Sequence, residues 1–120
     1  MFELCIRDEI ASAHFLRGYE GKCKNLHGHT WKIEVFIQKS DLDELGMVAD
    51  FAVLKQQLKE FLKEIDHVNL NEHEYFVQEN PTAENIAKFI YDRFTQIISP
   101  LTLSKVNVWE SERAYATYYE

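Results

Sequence analysis

The sequence predicts an α+β fold of β-β-α-α-β-β order, with residues 1–120 forming one domain. A mostly antiparallel four-stranded sheet carries two helices on one face. Three observations lead there. Apolar residues alternate with a period of two from about Phe2 to Ala13 and again from about His29 to Lys39. They recur with helical spacing between Phe51 and Ile98, and they return to alternation after Pro100.

The first strand runs from about Phe2 to Ala13, where Phe2, Leu4, Ile6 and Ile10 share one parity. His14 falls on that parity too. Cys5, inside the strand, reads as a packing residue. The second strand covers about His29 to Lys39. Trp31, Ile33, Val35 and Ile37 share a face, while Lys32, Glu34 and Gln38 point away. His27 and His29 keep the parity of the apolar set.

A polar connection, "SDLDELGMVADF", follows. Asp50 then caps a helix whose buried stripe is Phe51, Leu54, Leu58, Phe61, Leu62 and Ile65. Thr82 caps a second helix, with Glu84 well placed against the helix dipole. Its stripe is Ile86, Ala87, Ile90, Phe94, Ile97 and Ile98, and Pro100 stops it. The last two strands span about Ser104–Ser111 and Arg113–Tyr119. Four strands and two helices leave sheet edges open, and association with further copies closes such edges, so an oligomer is expected.

Charge excludes some functions. The chain has a net charge of −7, with its lysines and arginines scattered, where a nucleic-acid binder shows a basic surplus. The nearest basic cluster, Lys22, Lys24 and Lys32, suits a small anionic ligand better. No apolar run approaches the length of a membrane span. The start, "MFELCIRDEI", lacks the apolar core of a signal peptide. A cytoplasmic protein with free thiols at Cys5 and Cys23 is the expectation.

Chemistry concentrates in a few residues. If the first two strands pair as a hairpin, His14, His27 and His29 converge. Three histidines with an open fourth position make a catalytic zinc site, whereas a structural site needs four protein ligands. Cys23, four residues before His27, is the available fourth ligand. It also lies in a polar loop between two lysines, the setting of reactive thiols. Asp66 and His67 follow the first helix. They form either a helix cap or a pair tuned for proton transfer. Glu110 follows Val106 and Val108 on the inward parity and needs a partner. That partner is either Arg113 or a lysine, or a ligand presenting two adjacent N–H donors. His73 reads as surface.

The segments "ASAHFL", "GKCKNLHGHTWKIEV", "GMVADF", "DHVNLN", "PTAENIA" and "VWES" occur in an order that resembles the 6-pyruvoyl-tetrahydropterin synthase family, over residues 2 to 119. The resemblance implies the tunnelling fold (T-fold), whose ββααββ subunits join their sheets into an oligomeric β-barrel, usually a homohexamer built as a dimer of trimers. It implies Zn2+ held by His14, His27 and His29. Cys23 matches the family's catalytic cysteine, a general base rather than a ligand. Asp66 and His67 match the rest of a proton-transfer triad formed across a subunit interface. Glu110 matches the carboxylate that anchors the 2-amino-4-oxo edge of the pterin, and Thr82 and Glu84 match the pterin-pocket segment.

The spacing C-x3-HGH, with Leu26 before HGH, is similar to that of bacterial 6-carboxy-5,6,7,8-tetrahydropterin synthases of queuosine and other deazapurine pathways. The implied substrate is 7,8-dihydroneopterin triphosphate, and the implied products are 6-carboxytetrahydropterin, acetaldehyde and triphosphate. Two alternatives are a 6-pyruvoyl-tetrahydropterin synthase-type triphosphate lyase and a non-enzymatic zinc-binding assembly module with Cys23 as fourth ligand.

Overall fold

A computed structural model describes residues 1–120. Strands β1 (Phe2–His14) and β2 (His27–Lys39) form a long hairpin. Helices α1 (Phe51–Leu62) and α2 (Ala83–Ile98) follow, then strands β3 (Thr102–Ser111) and β4 (Ala114–Tyr118). The strands make one antiparallel sheet in the order β1-β2-β3-β4.

Alternation explains the sheet's two faces. Ile6, Ile10, Trp31, Ile33, Val35, Ile37, Val106 and Val108 are buried and join α1 and α2 in one apolar core of 23 residues. Leu54, Leu58 and Leu62 supply α1's share, and Ile86, Phe89, Ile90 and Phe94 most of α2's. Both helices therefore cover the same face. Each is capped as its sequence requires. Asp50 Oδ1 accepts from Ala52 N at 2.8 Å, and Thr82 Oγ1 accepts from Asn85 N at 3.1 Å.

The hairpin is longer at its loop end than alternation alone suggests. Pairing runs from Phe2 opposite Lys39 to His14 opposite His27, so all three histidines of interest lie on strand. Helix α1 stops at Leu62 and tightens into a 3-10 turn over Lys63–Ile65. The next residues fold back along the outer edge of β1, where Asn69 bridges Ala13 in parallel.

The far face of the sheet differs from expectation at two positions. Cys5 is exposed, because its odd parity turns it away from Leu4 and Ile6. Glu34 points away from the core yet is buried. Its carboxylate accepts from Arg7 Nε at 2.7 Å, Trp109 Nε1 at 2.5 Å and Asn107 Nδ2 at 3.3 Å. Burial pushes the Glu34 carboxyl up, but these donors outweigh it and hold its pKa below the ordinary value.

Candidate metal centre and active site

His14 is the last residue of β1 and faces His27, the first of β2. His29 lies two residues further along β2 on the same face. One ligand atom from each of the three side chains lies within 4.8 Å of the other two. Trp31, next on that face, packs edge-on against His14 and His29, with ring centroids 4.8 and 5.0 Å away.

Backbone carbonyls orient the rings. His14 Nδ1 lies 2.6 Å from the Pro81 carbonyl oxygen, and His27 Nδ1 lies 2.7 Å from that of Asn25. A carbonyl only accepts, so each Nδ1 carries the proton and each Nε2 keeps its lone pair. The Nε2 atoms of His14 and His29 are buried and have no hydrogen-bond partner. An orphaned buried nitrogen is costly unless something binds it. Burial pushes both imidazoles below the ordinary histidine pKa. The Pro81 carbonyl partly opposes this at His14, as Glu110 does at His29. Neutral imidazoles with convergent lone pairs are a donor set that fits a divalent transition metal.

Cys23 sits in a 3-10 turn, Lys22–Lys24, within the loop between β1 and β2. It is half-buried, and its carbonyl accepts from Leu16 N at 2.8 Å, which ties the turn to the end of β1. The cluster of possible ligand atoms comprises the three histidines without the Cys23 sulfur.

Asp66 Oδ1 lies 2.8 Å from His67 Nδ1 and accepts from Ala11 N at 2.9 Å. Burial pushes the Asp66 carboxyl up, but the Ala11 amide and His67 prevail and hold its pKa down. His67 adopts φ +56°, a left-handed conformation unusual for a residue with a Cβ. Its own N–H holds it there by donating to the Ala11 carbonyl at 2.6 Å. The His67 side chain is 79% exposed and lines an open cleft together with His29, Gly28 and Thr30.

Glu110 Oε1 stands 4.0 Å from His29 Nε2, its one ion-pair contact, so neither Arg113 nor a lysine partners it. Glu110 and Glu84 line a common cavity with Ala83, Ala114, Tyr115 and Ala116. Thr82 is outside that lining and caps α2. His73, read as surface from sequence, is packed instead. Its Nε2 donates to Glu64 at 2.7 Å, its Nδ1 accepts from Tyr75 N at 3.1 Å, and its ring rests on Phe89. Arg17 donates to the Phe76 carbonyl at 2.5 Å, whereas Lys22 and Lys24 are exposed. The carbonyls of Pro81 and Asn25 escaped sequence reasoning, because every residue has one and only the fold aims it.

Residues 3–120 match the family described as 6-pyruvoyl tetrahydropterin synthase. A 6-carboxy-5,6,7,8-tetrahydropterin synthase of Haemophilus influenzae is 34% identical over 143 aligned positions, covering 100% of both chains. One of Bacillus subtilis is 35% identical, covering 98% of this chain and 84% of its own. Among solved structures, the 6-pyruvoyl tetrahydropterin synthase of Caenorhabditis elegans superposes with a TM-score of 0.89 at 27% identity, covering 99% of this chain and 95% of its own.

Proposed function

The chain belongs to the 6-pyruvoyl tetrahydropterin synthase family, and from that premise we propose that it is a zinc-dependent 6-carboxy-5,6,7,8-tetrahydropterin synthase acting in queuosine or related deazapurine biosynthesis. It converts 7,8-dihydroneopterin triphosphate and one water to 6-carboxytetrahydropterin, acetaldehyde and triphosphate. The names of the bacterial relatives and the C-x3-HGH spacing support this product. The observation that carries the reading is the trio of histidines with two buried, unpartnered Nε2 atoms beside the cavity of Glu110.

His14, His27 and His29 hold the metal. When bound, zinc supplies Lewis acidity to oxygens of the substrate side chain. Glu110 accepts two adjacent N–H groups of the pterin, a bidentate arrangement that fixes the ring. Glu84 lines the same cavity, and Thr82 sets the start of the helix that presents it. Cys23 takes a proton from the substrate side chain as general base. Asp66 accepts a hydrogen bond from His67 Nδ1, which leaves Nε2 as the end that exchanges protons with substrate.

The enzyme, one domain spanning residues 1–120, works in the cytoplasm as a homohexamer, a dimer of trimers, without nucleic-acid or membrane partners. The exposed His67 imidazole and the sheet edges left open, along β4 and along β1 before Ala11, support sites shared between subunits. No helix is long and apolar enough to cross a membrane.

A second reading, the pyruvoyl-forming lyase, draws on the nematode structure. Product analysis separates the two. Zinc-loaded protein incubated with 7,8-dihydroneopterin triphosphate should release acetaldehyde. A pyruvoyl product without acetaldehyde would support the second reading, and no turnover would leave the assembly module.

A further inference from the structure

The outer edge of β1 is paired well beyond the last residue that has a strand beside it. Ala11 N donates to Asp66 Oδ1 at 2.9 Å, and the Ala11 carbonyl accepts from His67 N at 2.6 Å. Ala13 N donates to the Val68 carbonyl at 2.9 Å. Two residues on, Phe15 N donates to Asn71 Oδ1 at 2.8 Å and the Phe15 carbonyl accepts from Asn71 Nδ2 at 3.0 Å. After two more, Arg17 N donates to Asn80 Oδ1 at 2.9 Å and the Arg17 carbonyl accepts from Asn80 Nδ2 at 3.0 Å. A primary amide presents an acceptor and a donor side by side, as a neighbouring strand does. Each asparagine thus replaces one residue of a missing strand.

What lies between these anchors is the chemistry. His14 falls between Ala13 and Phe15 and gives its Nδ1 proton to Pro81. Leu16, between Phe15 and Arg17, holds the turn of Cys23 through the Cys23 carbonyl. Asn80 immediately precedes Pro81, and its own carbonyl accepts from Thr82 N and Asn85 Nδ2, both at 2.8 Å. It is therefore fastened to α2 on one side and to Arg17 on the other. Asn71 is buried, with its own N–H donating to Asn69 Oδ1 at 3.0 Å.

We propose that Asn71 and Asn80 are positioning residues whose side-chain amides continue the edge ladder of β1 past His14, and so hold the metal ligand His14 and the turn of Cys23 in one fixed relation. The inference rests on the reading of the histidine trio as a metal site.

The test is zinc affinity of the full chain, measured by competition with a chelator well below the unfolding temperature, alongside kcat and KM. Asn80→Ala and Asn71→Ala should each weaken zinc binding by about 10- to 100-fold, with kcat falling more than KM rises. Asn80→Asp keeps the acceptor for Arg17 N but sets a second acceptor against the Arg17 carbonyl, so zinc binding should weaken in it too. Ile98→Val, a core change at the far end of α2, should lower the melting temperature and leave zinc affinity alone. Zinc affinity within twofold of the parent in both alanine variants would overturn the proposal. Where an alanine variant fails to fold, Asn80→Asp decides, and parent-like affinity in it is the overturning result. A parent chain that binds no zinc would instead sink the metal reading, and this inference with it.

Discussion

His14 and His27 close the β1–β2 hairpin as its final cross-strand pair, with ring centroids 4.6 Å apart. His14 Nδ1 donates to the Pro81 carbonyl, far away in sequence, and His27 Nδ1 donates to that of Asn25, two residues before it. The rings are thus held before any ligand arrives, and pre-organisation of this kind is what a tight metal site needs.

Removing one of these rings should be felt even without metal. His14→Ala leaves the Pro81 carbonyl without its donor and opens space beside Trp31. The metal-free variant should lose about 1–3 kcal/mol in urea unfolding, and zinc binding should fall far below that of the parent. Unchanged stability would mean that the Pro81 contact is not formed in solution.

Glu110→Gln should separate substrate recognition from metal binding. A glutamine replaces one of the two acceptor oxygens with a donor. Loss of a charge-assisted bond worth about 1.5–3 kcal/mol predicts a fall in kcat/KM of roughly 10- to 150-fold. Zinc content should stay at the parent level, as read by elemental analysis. Equal loss of zinc would assign Glu110 to the metal rather than to the pterin.

Glu34 gives the clearest pH dependence. Its folded carboxyl titrates below the ordinary value of 4.5, despite burial, because Trp109, Asn107 and Arg7 donate to it. As pH falls, the unfolded chain takes up the proton first. The stabilisation is therefore complete above the unfolded pKa and is lost as pH drops through the lower folded one. Glu34→Gln should be less stable than the parent near neutrality, with the gap closing in acid. Urea midpoints across that range would read it. A gap that stays constant with pH would rule out the ionised carboxylate as the source.

Much of this fold was legible in the sequence, because parity and helical spacing are local. Trp31, Ile33, Val35 and Ile37 announce both a strand and its buried face, and His27 and His29 inherit that face. The convergence of His14 needed only the assumption of a hairpin. Legibility fails where a residue's environment comes from distant chain. Cys5 is a different case, since its odd parity is local and its place between Leu4 and Ile6 already turns it outward. Glu34 looks solvated until Arg7, Asn107 and Trp109 arrive from two other strands. His73 lies in a polar stretch, and Phe89 and Glu64, which engage it, belong to α2 and to the turn after α1. Residues 63–76 fold largely as single 3-10 turns, which carry no apolar period to read.

The division of labour in "CKNLHGH" is the centre of the account, with histidines to hold a metal and a cysteine to move a proton. Zinc content and turnover of Cys23→Ala test it most directly. Cys23→Ala should keep as much zinc as the parent and release no acetaldehyde from 7,8-dihydroneopterin triphosphate. A Cys23→Ala chain that loses its zinc would contradict it and make the cysteine a fourth ligand.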